Sequence, residues 1–209
     1  SAFPGEKAGH LNGRVGDYHI GRFPAEKRPP RSAAYENPDG FIEVTLENKD
    51  TPVSEHFRLA DFLTHDQKNV WPKYLVLREP LVDKLELVLV ELQRRGIKAE
   101  RLAVMSGFRS PQYNQKGVGR GGRARDSRHQ FGDAADILVD NNHDGRLDDL
   151  NRDGRVNSRD VRILVDAIES VEREYPELVG GLGLYRATRS HGPFVHVDVR
   201  GNRARWGRL

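Results

Sequence analysis

The sequence predicts a domain that contains both helices and strands, and three patterns carry this prediction. Residues 41–47 alternate apolar and polar side chains with the period of two of a half-buried strand. Residues 80–96 begin with Pro80, carry an apolar stripe at helical spacing and end at Gly96, as a core helix does. Residues 194–200 return to strand alternation, with the valines on one face and His196 on the other.

The composition of the chain excludes several classes of protein. The chain has 209 residues, of which 34 are Lys or Arg and 31 are Asp or Glu, so its net charge of +3 is a small excess that gives no reason to expect a nucleic-acid partner. It has no cysteine, which excludes disulfide scaffolds, thiolate zinc sites and cysteine nucleophiles. No apolar run approaches the length of a membrane span, because the longest, 85–92, is interrupted by Glu86 and Glu91.

The predicted domain boundary lies where apolar residues begin to recur with the period of a strand or a helix. Residues 1–38 are rich in Gly, Pro, Lys and Arg and show no periodicity, so we expect an extended N-terminal arm that lies on the domain or is partly disordered. The folded domain then covers residues 39–209. A buried strand is predicted at 102–105, a basic glycine-rich loop at 116–125, and a second helix from 161 to the Tyr175-Pro176 step.

The stretch 126–140 places an imidazole and carboxylates around small residues at metal-ligand spacing. His129 and Asp136 are seven residues apart, and the small residues between them, beginning with Gly132, let the chain fold back so that both side chains meet one ion. The best candidate for a third ligand is His196, on the predicted strand. Two imidazoles and one carboxylate, with water at the fourth position, form the ligand set of a catalytic zinc.

Three separated motifs carry a resemblance to a known family. The motifs are Ser127-x-His129-x-x-Gly132-x-Ala134-x-Asp136, the later His196 and the upstream run Ser106-Gly-Phe-Arg109-Ser-Pro-Gln-Tyr-Asn114. Together they resemble the zinc D-alanyl-D-alanine carboxypeptidases, which share a fold group with lysostaphin-type peptidases, murein endopeptidases and the hedgehog signalling domain. The resemblance covers roughly residues 41–200, with one insertion. The chain resembles above all the small periplasmic murein endopeptidases. The resemblance implies an α+β fold, a small antiparallel sheet with helices packed on it.

The resemblance also implies roles for particular residues. Zinc would be held by His129, Asp136 and His196. Arg109 would reach the zinc site and hold a substrate carbonyl or carboxylate, for which its guanidinium is suited; the alternative is a salt bridge to a neighbouring loop. The residues that we assign to substrate binding are Arg109, Ser127 and Tyr113.

The sequence departs from the family at the position of the general base. In the family's carboxypeptidases a carboxylate lies three residues before the last zinc histidine, but here that position is Pro193. His191 is our first choice, because it matches the place where related murein peptidases keep a second, non-ligand histidine. Asp198 is the second choice, since it shares a face with His196, although it would also suit the role of orienting that ligand. Asp133 is the third.

The insertion at 140–160 has the pattern of a calcium loop of EF-hand type, most similar to the dockerin form. Counting from Asp149, the ligands at positions one, three, five, seven and twelve are Asp149, Asn151, Asp153, the Arg155 carbonyl and Asp160. A possible second register consists of Asp140, Asn142, Asp144 and the Arg146 carbonyl. The registers are offset by nine residues, which excludes a true dockerin or paired EF-hand. We expect at least one structural calcium, on the Asp149 loop; the alternative is a solvated acidic loop.

We therefore predict a zinc metallopeptidase that hydrolyses peptidoglycan stem peptides, as a D,D-carboxypeptidase or as a cross-link endopeptidase. The chain begins at Ser1 rather than Met, so the absence of an export signal does not argue for the cytoplasm. We expect a periplasmic or secreted protein, because weak calcium sites of this kind fit the calcium-rich space outside the cytoplasm. We expect a monomer. Two alternatives stay open: an inactive binding module stabilised by zinc and calcium, which the missing acid at Pro193 favours, and an interaction protein that acts through its calcium loop.

Overall fold

The computed structural model describes residues 12–207. The helices in this range are α1 (Glu79–Arg94), α2 (Pro111–Gln115) and α3 (Ser158–Glu174). The strands are β1 (Arg14–Val15), β2 (Tyr18–His19), β3 (Ile42–Val44), β4 (Lys73–Leu75), β5 (Leu102–Ser106), β6 (Ala134–Val139), β7 (Gly181–Tyr185), β8 (Phe194–Asp198) and β9 (Ala204–Trp206). Short 3-10 helices lie at Pro24–Glu26, Ala33–Tyr35, Leu59–Phe62, Arg128–Phe131 and Pro176–Leu178.

The chain forms two compact units. Within the described residues, the first comprises 12–53, 57–79 and 106–134, and the second comprises 54–56, 80–105 and 135–207. In the first unit, β1 pairs with β2 and β3 pairs with β4, both antiparallel. The strand predicted at 41–47 is realised as β3, which stops at Val44 because Thr45 and Asn48 exchange side-chain and backbone hydrogen bonds and turn the chain.

The described part of the predicted N-terminal arm packs onto the first unit. Tyr18, Ile20 and Phe23 are almost fully buried. Gly21 has a φ of +87°, and a Cβ there would lie 2.4 Å from the backbone nitrogen of Gln112, so only glycine fits this approach to α2. The amide of Gln112 also donates a hydrogen bond of 2.9 Å to the Ile20 carbonyl. Residues 1–11 of the predicted arm lie outside the described residues.

The second unit holds a five-stranded sheet in the order β5-β6-β8-β7-β9. Strands β7 and β8 are antiparallel, with His196 opposite Gly183, whereas β7 and β9 are parallel. A mixed α and β fold with small sheets is therefore confirmed; β7 and β8 pair antiparallel as predicted, and β9 is added parallel to β7. The reason is that the chain between β8 and β9 crosses the end of β7 and so runs in the same direction as β7.

The helices of the second unit bury their apolar faces, as their spacing predicts. The predicted core helix is α1, with Leu81, Leu85 and Leu89 fully buried. Helix α3 begins after Asn157, whose side chain accepts the Arg159 amide while the Asp160 carboxylate accepts the Asn157 amide. Among the described residues, no helix is both long enough and apolar enough to pass through a bilayer.

Candidate metal centre

His129 lies on the 3-10 helix Arg128–Phe131 and is 3% exposed. Its Nδ1 lies 2.8 Å from the Gly107 carbonyl oxygen, and because a carbonyl only accepts, Nδ1 carries the proton and Nε2 keeps its lone pair. Gly132 ends the helix with a φ of +69°, and a Cβ there would lie 2.3 Å from the Val76 carbonyl oxygen. A glycine is therefore required at the turn between His129 and β6.

Asp136 and His196 lie on two neighbouring strands of the sheet, β6 and β8. Every residue of β6 is buried, and Asp136 itself is 8% exposed. His196 Nδ1 lies 3.1 Å from Asp136 Oδ1, and its Nε2 lies 2.9 Å from Asp198 Oδ2. The two ring nitrogens of His196 thus face two different carboxylates.

Asp198 is held in place by several donors. Its carboxylate accepts the Gly181 amide at 2.8 Å and the Nη2 of Arg200 at 2.6 Å, besides its contact with His196. Burial by itself would raise the pKa of Asp198, but the hydrogen bonds from His196 and Arg200 hold that pKa well below its usual range. Asp198 is therefore an ionised acceptor that fixes the ring of His196.

The side chains of His129, Asp136 and His196 form a cluster. One ligand atom from each of them lies within 4.8 Å of the others. Burial lowers the pKa of His196, but the hydrogen bonds to Asp136 and Asp198 outweigh it and raise that pKa above its ordinary value. His196 thus lies between two carboxylates that favour positive charge on its ring, and the same surroundings would favour a divalent cation at its Nδ1.

The donors of this cluster fit a zinc ion. His129 would bind the ion through Nε2 and His196 through Nδ1, and Asp136 would supply a carboxylate oxygen. Each histidine has an acceptor for its other nitrogen, the Gly107 carbonyl for His129 and the Asp198 carboxylate for His196. Histidines that bind metals in proteins are oriented in this way by a second acceptor.

The three predicted substrate-binding residues all belong to the first unit. Arg109 donates from Nη2 to Ser106 Oγ at 3.2 Å, and its Nη1 lies 3.5 Å from Asn114 Oδ1. Ser127 is buried and immediately precedes the 3-10 helix of His129. Tyr113 lies in α2, with the guanidinium of Arg123 over its ring at 4.3 Å. The roles assigned to these residues stay predictions.

The three predicted general bases differ in how many hydrogen bonds and ion pairs their side chains already form. Asp133 is buried in an ion pair with Arg128, whose Nε donates to it at 3.0 Å. Asp198 accepts hydrogen bonds from His196 and Arg200, and this arrangement suits the role of orienting His196 better than the role of taking up a proton. His191 is half-buried in the loop before β8, with Nδ1 donating to the Gly192 carbonyl at 2.7 Å. Its Nε2 forms no hydrogen bond within the described residues.

The insertion contains the same turn twice. In the first copy the Asp144 and Gly145 amides donate to the carboxylate of Asp140, and in the second the corresponding amides donate to Asp149. The copies differ in which carboxylate is paired: Arg101 lies 2.7 Å from the first carboxylate of its copy, Asp140, whereas Arg159 lies 3.3 Å from Asp153 and Asp149 pairs with no cation in the described part of the chain. This difference weighs against an ion at Asp140. Calcium at Asp149 stays a prediction.

The other predicted calcium ligands lie in equivalent places in the two copies. Asn142 and Asn151 each accept the amide two residues later, and Asp144 and Asp153 each accept the amide of the following arginine, Arg146 or Arg155. The last ligand, Asp160, is fully buried at the start of α3, where it accepts the amides of Leu150 and Asn157.

Sequence reasoning missed three partners of the cluster. The Gly107 carbonyl and the Arg200 guanidinium were not assigned to the site, although Arg200 shares the strand face of His196. Trp206 lies on β9, and its ring centroid lies 5.1 Å from that of His196. Gly183 makes room for this ring, since a Cβ there would lie 2.3 Å from the indole nitrogen. The glycines of β7 were the available signal.

Comparison with known proteins gives one finding on family. Residues 73–164 match the family model described as Peptidase M15. The matched segment runs from β4 into α3 and includes Arg109, His129 and Asp136. This match supports the family of zinc-dependent D-alanyl-D-alanine peptidases. No curated protein and no solved structure matched the chain.

Proposed function

We propose that the protein is a zinc metallopeptidase that hydrolyses peptide bonds in peptidoglycan, as a D,D-carboxypeptidase or as a cross-link endopeptidase. The observation that carries the proposal is the buried cluster of His129, Asp136 and His196, in which each histidine is oriented by a second acceptor. The match of residues 73–164 to a peptidase family supports it. We further propose that the protein acts as a monomer in the periplasm or outside the cell.

The residues that would hold zinc are His129 through Nε2, Asp136 through a carboxylate oxygen and His196 through Nδ1. Zinc in such a set lowers the pKa of water to about 7 and polarises a carbonyl group. The chain itself keeps the ligands in place: the Gly107 carbonyl fixes the tautomer of His129, and Asp198 fixes that of His196. Arg200 keeps Asp198 ionised, so that the Nε2 proton of His196 stays where it is.

Proton transfer requires a group that takes a proton from water and gives it to the leaving amine. We assign this role to His191, because Pro193 lacks an acid and both alternative carboxylates are committed to cations. The Nδ1 of His191 donates to the Gly192 carbonyl, so its Nε2 carries the lone pair. Arg109, fixed by Ser106 and Asn114, is assigned to a substrate carbonyl or carboxylate.

An inactive binding module is the second candidate, because Pro193 stands where the family's carboxypeptidases keep an acid. The experiment that separates the two is digestion of purified peptidoglycan by the wild-type protein and by His191→Ala, with released peptides identified by mass spectrometry. His65→Ala serves as the control, since His65 is exposed and makes no hydrogen bond within residues 12–207.

The peptidase proposal expects cleavage by the wild type and by His65→Ala, with kcat reduced about 100-fold or more in His191→Ala, as for loss of a general base. Cleavage that survives in His191→Ala would remove the assignment of the base and leave the peptidase. A zinc-loaded wild type that cleaves neither peptidoglycan nor synthetic D-alanyl-D-alanine peptides would contradict the peptidase and favour the binding module.

A further inference from the structure

The first unit contains a basic cleft of about 530 Å³ that lies outside the metal cluster. We call it the arm cleft, because the N-terminal arm forms one of its walls. Its lining includes four cationic side chains and no acidic one. The residues of the arm wall are Arg22, Pro24, Lys27 and Arg28, and those of the opposite wall are Pro111, Asn114, Gln115, Val118, Arg125 and Gln130.

Three of the four cations are uncompensated. Arg28 is paired with Asp126, so its charge is offset. The side chains of Arg22, Lys27 and Arg125 form neither a hydrogen bond nor an ion pair in the part of the chain that the structure describes. A concave surface lined by cations without acidic neighbours attracts anions, and the field is focused by the low dielectric of the walls.

The cleft is built by fixed backbone rather than by loose surface loops. Two buried amide side chains hold the wall that carries Arg125: Asn114 donates to the Ala124 carbonyl at 3.0 Å, and Gln130 donates to the Arg125 carbonyl at 3.0 Å. The arm wall is fixed by the close approach of Gly21 to α2. Arginines on a fixed backbone lose less conformational entropy when they bind an oxyanion, and their guanidinium fork binds it with two hydrogen bonds.

The position of the cleft in the first unit indicates which anion it serves. Asn114 lies in the cleft wall, and its Oδ1 is also the neighbour of the Arg109 guanidinium at 3.5 Å. A peptide held by Arg109 therefore reaches the cleft by extending along α2. The exposed Gln115 amide and the Pro24 and Pro111 rings give the walls the mixed polar and apolar surface that suits a peptide.

We propose that the arm cleft binds a carboxylate of the peptide substrate, through Arg22 and Arg125. The inference rests on the proposed peptidase function for the identity of the peptide, and it gives the N-terminal arm a role in substrate binding. It also predicts a preference for stem peptides whose carboxylates are free over peptides in which they are amidated.

The test is a calorimetric binding titration that does not depend on bond cleavage. The probe is the synthetic tripeptide L-Ala-γ-D-Glu-L-Lys, which has no D-alanine bond to cleave, and its analogue with the glutamate carboxylate amidated. The variant is Arg22→Gln with Arg125→Gln in the full-length protein. The matched control is Lys68→Gln with Arg162→Gln, which makes the same change in net charge at two exposed cations outside the cleft.

We expect the double cleft variant to bind the acidic tripeptide about tenfold more weakly than the wild type, and the control variant to bind within about twofold, since remote exposed charges are screened by salt. The amidated tripeptide should bind the wild type as weakly as the acidic one binds the cleft variant. Equal binding of both peptides, or an unchanged affinity in the cleft variant, would overturn the inference.

A second arm of the titration uses short inorganic polyphosphate. If polyphosphate binds more tightly than the tripeptide and the same double substitution abolishes its binding, the cleft serves a phosphate and the peptide inference is overturned. Failure of the inference is distinct from failure of the proposed function. A wild type that cleaves peptidoglycan while the cleft variant keeps its affinity contradicts only the cleft, and a cleft-dependent affinity without any cleavage contradicts only the peptidase.

Discussion

Asp198 accepts a hydrogen bond from Nε2 of His196 at 2.9 Å, two residues earlier on the same strand. Strand geometry places residues i and i+2 on one face, so the pairing is local and does not depend on the rest of the fold. It directs Nδ1 of His196 towards Asp136, which lies 3.1 Å away. Asp198 thus determines that Nδ1 of His196 faces Asp136, although Asp198 is not itself one of the three predicted metal ligands.

Loss of this acceptor should weaken zinc binding. Asp198→Asn keeps the size of the side chain but removes the charge that fixes the Nε2 proton, and we expect zinc affinity to fall by about 10- to 100-fold. Competition with a chelating dye measures it. Asp166→Asn, an exposed change on α3, should leave the affinity unchanged. Equal affinities for the two variants would show that Asp198 does not orient His196.

Gly132→Ala tests the turn between His129 and β6. Alanine at a φ of +69° is strained, and its Cβ would lie 2.3 Å from the Val76 carbonyl oxygen. We expect the free energy of unfolding in urea to fall by about 3 kcal/mol, the sum of a left-handed backbone and a steric overlap. Gly192→Ala is the control, because that glycine has neither a positive φ nor a neighbour within 4 Å. A loss of stability no larger than the control's would contradict the account of this turn.

Lys84 connects α1 to β8, the strand that carries His196. Its fully buried ammonium donates to Glu172 at 2.7 Å, to the Leu178 carbonyl at 2.8 Å and to the Asp198 carbonyl at 2.9 Å. Lys84→Met would leave all three acceptors buried without this donor, so we expect a loss of about 3 to 5 kcal/mol in the free energy of unfolding. The comparison is Lys98→Met on the surface. Equal stability of the two variants would show that the buried network contributes nothing.

The two turns of the insertion give opposite predictions for calcium. Asp149 lacks a cationic partner in the described residues and Asp140 is paired with Arg101, so Asp153→Ala should abolish calcium binding and Asp144→Ala should not. Isothermal titration in metal-free buffer measures both, and the wild type should bind one ion. Absence of any heat of binding in the wild type would leave the insertion as a solvated loop.

The sequence predicted those parts of the structure whose geometry depends on residues close together in the chain. The apolar stripe of α1, the alternation of β8 and the glycine between His129 and Asp136 each determine their own geometry within a few residues. The Gly107 carbonyl lies 22 positions before His129, Trp206 approaches His196 because β9 pairs with β7, and the arm cleft joins the arm to α2. None of these contacts carries a periodic signal. The arm shows this most clearly, because the ring of Tyr18 packs 6.2 Å from that of Tyr74 and the ring of Phe23 packs 5.8 Å from that of Phe41.

Zinc content is the measurement that tests the central claim most directly. Inductively coupled plasma mass spectrometry on the purified protein, after dialysis against zinc and then against metal-free buffer, should find one zinc per chain in the wild type. Asp136→Asn and His196→Ala should retain much less, whereas His65→Ala should retain all of it. A wild type that keeps no zinc, or variants that keep as much as the wild type, would contradict the assignment of His129, Asp136 and His196 as the metal ligands.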